Sequence, residues 1–176
     1  IRTAAMRALI LAPFVLALLA GCGRKEETPQ ATPSVGTPTV SNDAKLSQPS
    51  ADDTNKLLAA LPAPYNTADL LNGQRQSALC RSCHTLTDGG PNLTGPNLHG
   101  VFGSKAGSKP GYAYSAAIKA AGFTWDAAKL DQWLADPRGF LPGTKMTFLG
   151  IRDAKDRIDL IAFLKVQTGY QPPVAP

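Results

Sequence analysis

Two cysteines and a histidine stand almost side by side in the run Cys80-Arg81-Ser82-Cys83-His84. The residues from Thr67 onward have the pattern of a helix, and positions three apart on a helix are neighbours on its surface. The two thiols therefore meet near the end of one helix, with an imidazole directly behind them. Such a cluster suits metal binding, dithiol redox chemistry or attachment of a prosthetic group.

The first two of these uses need partners that the sequence does not offer. A structural zinc site needs four ligands, and outside this run the chain has only His99 and the distant Cys22. A thioredoxin-type dithiol needs a strand-helix-strand setting, which the patterns here do not predict. Since the chain has three cysteines, an odd number, a disulfide framework is also disfavoured.

A covalent haem explains the whole run. Two cysteines at this spacing can each add to a vinyl group of one porphyrin, and the histidine that follows then lies beneath the iron as an axial ligand. We therefore predict one haem c, attached through Cys80 and Cys83 and bound to iron by His84.

The second axial ligand follows almost by elimination. An electron carrier needs a second strong donor, and Met6 lies in a segment that is expected to be removed. Met146 remains, in the loop Leu141-Pro142-Gly143-Thr144-Lys145-Met146. A single methionine is often core filler, but its place in a loop favours iron ligation. His99 is the rival ligand, and we expect it to be exposed in its own loop.

The beginning of the chain has the pattern of an export signal. After Met6-Arg7 come thirteen largely apolar residues and then Gly21-Cys22, too short a run for a spanning helix. Leu19-Ala20-Gly21-Cys22 resembles a bacterial lipobox, which predicts that residues 1–21 are a signal and that Cys22 becomes a lipid anchor. An ordinary cleavage site with a fortuitous cysteine, or an uncleaved signal anchor, are the alternatives. Either way, we expect the protein on the periplasmic side of a bacterial membrane.

Residues 22–64 are rich in Thr, Pro and Ser and poor in large apolar side chains. Such a composition predicts a flexible tether, and a short helix around 52–61 is compatible with it. Residues 65–176 then form the one folded domain. The net charge of +5 comes without a nucleic-acid motif, which favours acidic protein partners, a membrane surface or plain solubility.

Helical patterns alternate with long loops in the folded part, so the predicted class is all-α. We expect helices over 67–83 and 115–121, one after Thr124 that ends near Asp136-Pro137, and a last one capped by Asp153 and stopped by Gly169. The last helix should bury one face, formed by Ala154, Ile158, Ile161, Leu164 and Thr168. Loops this long need a large apolar group on which to pack, as a haem would provide.

Beyond these motifs, residues 67–168 as a whole resemble the mitochondrial and alphaproteobacterial branch of the class I cytochromes c. The resemblance rests on ordered runs: 80–85, Gly89-Gly90, 94–103, 110–115, 142–146 and 159–164.

It implies a class I cytochrome c fold in which Pro96 accepts a hydrogen bond from His84, Tyr114 and Trp125 hydrogen-bond a haem propionate, and Thr144 supports the methionine loop.

The resemblance further implies a monomeric electron carrier, not an enzyme. It would pass single electrons from a cytochrome bc complex to a terminal haem-copper oxidase. Docking cations would be Lys145, Arg138, Arg152, Lys105 and Arg75, which form a thin ring. A sensor or enzyme with an open iron position, or a fixed subunit of a respiratory complex, are the competing interpretations.

Four positions depart from the family pattern. Trp133 stands in place of a tyrosine near the methionine sulfur, Ser104 in place of an arginine and Ile118 in place of an asparagine. Ser77 replaces an aromatic residue between the first and last helices, where Gly73 and Phe163 still suit close contact. These changes alter the polar network that the family builds around its haem, and with it the expected reduction potential.

Overall fold

The structure is a computed structural model that describes residues 50–172. The predicted signal 1–21, the lipid-anchor candidate Cys22 and most of the predicted tether lie outside the described residues. No helix between residues 50 and 172 combines the length and the apolar character needed to span a bilayer.

Helices and loops make up this part of the chain. Its elements are α1 (Ala51–Ala59), a 3₁₀ turn (Tyr65–Thr67), α2 (Leu70–Arg81), α3 (Ala116–Ala120), α4 (Ala127–Ala135), α5 (Pro137–Phe140) and α6 (Ala154–Gln167). Residues 50–172 contain no strand; one isolated bridge joins Lys105 and Thr124. The predicted all-α class is confirmed.

Helix α1 falls where the sequence allowed a short helix. Its cap is Ser50, whose side chain accepts a hydrogen bond from the Asp53 N–H at 3.1 Å. Leu61, just after α1, is only 4% exposed. The contacts of the folded part therefore reach back to residue 61.

Helix α2 is shorter than predicted at both ends. Asp69 caps it by accepting from the N–H groups of Leu71 and Asn72 at 2.9 and 3.0 Å, so Thr67 belongs to the preceding turn. At the other end, the N–H groups of Cys83 and His84 both donate to the Cys80 carbonyl, at 3.0 and 2.9 Å. The second cysteine and the histidine thus leave α2 in a tight turn.

Helices α2 and α6 cross closely at Gly73. A Cβ at this position would lie 2.7 Å from the Cβ of Phe163 and would collide with the carbonyl oxygen of Asp159. The predicted contact between Gly73 and Phe163 is confirmed. Ser77, one turn further along, is fully buried and donates to the Gln74 carbonyl at 2.7 Å, so a small side chain fills the place of the family's aromatic.

Helix α6 begins and ends as predicted. The Asp153 side chain accepts from the Asp156 N–H at 3.0 Å, and Gly169 after the helix has a φ of +76°. The prediction of one buried face is wrong, because every residue from Asp159 to Val166 is buried. Helices α2 and α4 pack against α6, and the 97–103 loop covers its C-terminal end, so little of its surface remains for solvent.

Helix α4 follows Thr124, as expected, but its cap is Asp126, which accepts from the Lys129 N–H at 2.7 Å. Its buried residues are those predicted, Leu130, Trp133 and Leu134. It stops where expected, because Pro137 opens the short helix α5 with Asp136 as its cap.

Candidate functional site

The His84 imidazole is fixed by a backbone carbonyl. Its Nδ1 atom lies 2.6 Å from the oxygen of Pro96, and since a carbonyl only accepts, Nδ1 carries the proton. Burial lowers the pKa of His84, and the hydrogen bond to Pro96 opposes this only in part. The ring is therefore neutral, and its Nε2 lone pair is available to a metal.

A glycine next to Pro96 makes this contact possible. A Cβ on Gly95 would lie 2.6 Å from Nδ1 of His84 and would overlap Cε1 of the same ring. The Gly95 N–H also donates to the Cys83 carbonyl at 2.7 Å, which ties the two segments together. Gly95 was not predicted to have a role of its own; its position directly before Pro96 is the signal in the sequence that points to it.

Asn97 anchors the same segment from inside and was also missed. It is 3% exposed, and its Nδ2 donates to Oγ1 of Thr85 at 2.7 Å and to the Thr87 carbonyl at 2.9 Å. Its own N–H donates to Oδ1 of Asn92 at 2.9 Å. The residues on both sides of Pro96 are thus held against the histidine.

Cys80 and Cys83 are free, half-buried thiols. Burial raises the pKa of Cys80 to about 11, with the charge of Arg81 opposing the shift and Cys83 adding to it. Dithiol oxidoreductases depend on a lowered thiol pKa, so Cys80 is poorly suited to that chemistry. Among residues 50–172 there is also no cluster of three or more His, Cys, Asp or Glu side chains able to hold a metal ion.

Met146 lies in a loop and faces the core. Its N–H donates to Oγ1 of Thr144 at 3.2 Å, which braces the loop. Met146, Cys80, Tyr114 and Trp125 all pack against one buried cluster, formed by Leu86, Ile118, Leu130, Trp133, Leu134, Ile151, Leu160, Ile161, Phe163 and Leu164. Residues that are up to 66 positions apart in the sequence are therefore gathered around a common apolar core.

His99, the rival ligand, is not exposed as predicted. Its side chain is 27% exposed, its Nδ1 lies 3.3 Å from a carboxylate oxygen of Asp88, and its ring packs on the backbone of Gly169. The end of α6 covers it, which local sequence could not indicate. Asp88 and the end of α6 thus engage both sides of this imidazole.

Three aromatic rings lie around Trp125, an arrangement that was not predicted from the sequence. Its ring lies 4.7 Å from Phe123, 5.4 Å from Trp133 and 6.5 Å from Phe140. Trp133, which replaces the expected tyrosine, is 8% exposed, and Ile118 is 7% exposed. This side of the core is therefore more apolar than the family pattern implies.

Ser104 and Tyr114, the two remaining polar positions, both make contacts within the chain. Ser104 donates to the Val101 carbonyl at 2.7 Å. Tyr114 packs edge-on against Tyr112 with ring centroids 4.7 Å apart; burial raises its pKa, and a hydrogen bond with the Lys109 backbone opposes the rise.

These features fit haem c. The chain offers two free thiols on one turn, a neutral imidazole with one nitrogen already engaged and the other available, a thioether in a braced loop, and an apolar core wall for the porphyrin face.

Comparisons with known proteins agree with this assignment of the chemistry. The chain is 44% identical over 105 residues to cytochrome c2 of Rhodomicrobium vannielii, covering 60% of this chain and 84% of that protein. It is 48% identical over 89 residues to cytochrome c of Stellaria longipes, covering 51% and 82%. The solved structure of cytochrome cH from Methylobacterium extorquens matches with a TM-score of 0.52 at 49% identity, covering 56% of this chain and 98% of that one. No family model matches the chain.

Proposed function

Since the chain belongs to the class I cytochromes c, we propose that it is a membrane-tethered monohaem electron carrier of a respiratory chain. As a cytochrome c it is an electron carrier and not an enzyme, and its cofactor is one covalent haem c. The finer parts of the proposal are the identity of the ligands, the tether and the redox partners.

Cys80 and Cys83 would hold the cofactor by thioether bonds, in which each S–H adds across one vinyl group. His84 would bind the iron through Nε2 and Met146 through its sulfur. When bound, haem c supplies a reversible one-electron couple. With His84 and Met146 both holding the iron, no coordination position would remain for a substrate.

The carbonyl of Pro96 would make His84 a stronger donor to the iron, because an acceptor that attracts the Nδ1 proton leaves more electron density in the ring and so raises the basicity of Nε2. The distance of 2.6 Å between Nδ1 and this oxygen is the observation that carries the proposal. The apolar core against which Met146 packs would limit the access of water to the bound cofactor.

The surface proposed to dock a redox partner would combine charged and apolar side chains. Arg138, Arg152 and Lys105 are exposed, whereas Lys145 donates to the Ala113 carbonyl at 3.4 Å and Arg75 lies 4.0 Å from Asp69. Three leucines that are close in sequence to residues of the candidate site are exposed: Leu79 beside Cys80, Leu93 before Gly95 and Leu149 after Met146, at 55%, 48% and 90% exposure.

Because only three of these five cations are free of such contacts, we expect a salt-sensitive but weak encounter. Partner turnover that is indifferent to ionic strength would contradict the ionic part of this docking surface.

The redox partners are proposed from the family, and the membrane anchor is proposed from the predicted signal and lipobox. A cytochrome bc complex would be the electron donor and a terminal oxidase the acceptor. Acylation of Cys22 would hold a monomeric head on the periplasmic side of a membrane, since several acyl chains anchor a protein stably where one does not.

Intact-mass spectrometry of the mature protein tests the assignment directly. The expected mass is that of the chain with one haem added, and a variant that combines Cys80→Ser with Cys83→Ser should lose this added mass. Haem that stays covalently attached in the double variant would refute these attachment points.

A further inference from the structure

The segment 96–103, here called the ligand loop, has two sets of contacts. At its start, the Pro96 carbonyl accepts from His84, and Leu98 N–H donates to the Thr85 carbonyl at 2.8 Å. Its later residues contact the C-terminal end of α6. The loop therefore connects the histidine with a part of the chain more than 60 residues beyond it.

The first contact with the end of α6 is between backbones. The Gly100 N–H donates to the Thr168 carbonyl at 2.8 Å. Thr168 itself is fully buried, and its Oγ1 donates to the Leu164 carbonyl at 2.7 Å. The partner of Gly100 is thus fixed to the last turn of the helix.

The second contact is aromatic. Phe102 meets Tyr170 edge-on with ring centroids 5.6 Å apart, and Nζ of Lys165 lies 4.5 Å from the Phe102 centroid and 3.4 Å from that of Tyr170. An ammonium group over an aromatic face is attracted by the ring quadrupole, more strongly where water is excluded. Lys165 is 5% exposed and lies between two half-buried rings, so the three side chains form one packed unit.

We propose that Tyr170 and Lys165 are positioning residues for the iron ligand His84. They hold residues 100–103 of the ligand loop against the C-terminal end of α6. The loop in turn holds the Pro96 carbonyl at 2.6 Å from Nδ1 of His84. The inference rests on the proposed function, in which His84 binds the haem iron.

Loosening the contacts of Phe102 with Tyr170 and Lys165 would have a chemical consequence at the metal. If the loop moves outward, the hydrogen bond from Nδ1 lengthens and Nε2 becomes a weaker donor. A weaker donor stabilises the oxidised iron less, and hydrogen bonds to axial ligands are one of the protein's means of setting a haem potential. The reduction potential should therefore rise.

The test compares three variants of the full chain with haem attached. Tyr170→Ala removes the ring, Tyr170→Phe keeps it, and Leu61→Ala removes a buried side chain (4% exposed) outside both α6 and the loop. The measurements are the reduction potential, the melting temperature and the hydrogen exchange of the Gly100 amide.

We expect Tyr170→Ala to raise the potential above those of the wild type and Leu61→Ala, and to speed Gly100 exchange by about fivefold to tenfold. Tyr170→Phe should keep both values near those of the wild type.

If Tyr170→Ala lowers the melting temperature as Leu61→Ala does but leaves the potential unchanged, Asn97 alone fixes Pro96 and this inference is wrong. That result leaves the proposed function intact. A wild-type chain without thioether-bound haem would instead refute the proposed function itself, before any variant is compared.

Discussion

The Pro96 carbonyl and the His84 ring are joined by a hydrogen bond of 2.6 Å, and the residue before Pro96 has no side chain that could separate them. The bond selects one tautomer of the imidazole and leaves the other nitrogen for the iron. Donor and acceptor are 12 positions apart in the sequence, and the contact needs a glycine directly before Pro96.

Gly95→Ala should disturb the ligand directly. The new methyl group would overlap the His84 ring, so either the ring or the Gly95-Pro96 backbone must shift, at a cost of about 1–3 kcal/mol for overpacking. Thermal unfolding of the haem-bound protein measures the loss of stability. The nitrogen signal of the proximal histidine in NMR spectra should also move.

Gly89→Ala is the matched control for Gly95→Ala. Gly89 has a φ of +63° and open space around its Cα, so alanine there carries a conformational cost but touches nothing. An NMR shift of His84 as large in Gly89→Ala as in Gly95→Ala would show that the contact is not the cause.

Met146→Leu should leave one coordination position of the iron without its ligand while nearly keeping the volume of the side chain. Without a sulfur donor, the oxidised protein should lose the weak far-red absorption band of methionine-bound ferric haem, and the reduced protein should bind carbon monoxide. Thr147→Ala, at the next position, serves as the control and should keep the band. An unchanged spectrum in Met146→Leu would show that Met146 does not bind the iron.

Asp159 joins α6 to the start of α2 and should make stability depend on acid. It is 1% exposed and accepts from the Asp69 N–H at 2.9 Å, from Asn72 Nδ2 at 2.9 Å and from Lys155 Nζ at 2.7 Å. Burial alone would raise its pKa, but these hydrogen bonds outweigh burial and hold the pKa below its usual range.

A carboxyl whose pKa is lower in the folded than in the unfolded protein stabilises the fold above the unfolded pKa of about 3.9, and this contribution is lost as the pH falls through the folded pKa. We expect Asp159→Asn to lower the free energy of unfolding by about 1–3 kcal/mol at neutral pH. The difference from the wild type should shrink below about pH 4.

Denaturant titrations at several pH values measure this, with the exposed Asp52→Asn as control. A difference between wild type and Asp159→Asn that stays constant down to pH values well below 4 would contradict the assignment.

Cys22→Ser tests the anchor. The variant should move from the membrane fraction to the soluble periplasmic fraction, because no acylated cysteine remains. Its haem spectrum should stay that of the wild type, which controls for folding of the head. A variant that remains in the membrane with its leader attached would support the uncleaved signal anchor instead.

Local signals in the sequence predicted much of this protein. The helix after Asp153 begins at the expected residue, since a cap is a hydrogen bond to a group three positions away. The turn that presents Cys80, Cys83 and His84 is equally local. In contrast, α6 was predicted to bury one face and buries all sides from Asp159 to Val166, because neighbours from distant parts of the chain cover it.

What the sequence determined by itself was the cofactor chemistry and the helical class, since both depend on residues within a turn or two of one another. The tertiary structure alone decided that Gly95 lies on the His84 ring, that Asp159 reaches Asp69 across 90 positions, and that Lys165 is enclosed by Phe102 and Tyr170. The reason is physical: such contacts form between segments whose approach is set by the packing of the whole domain, and no periodicity or spacing within either segment records it.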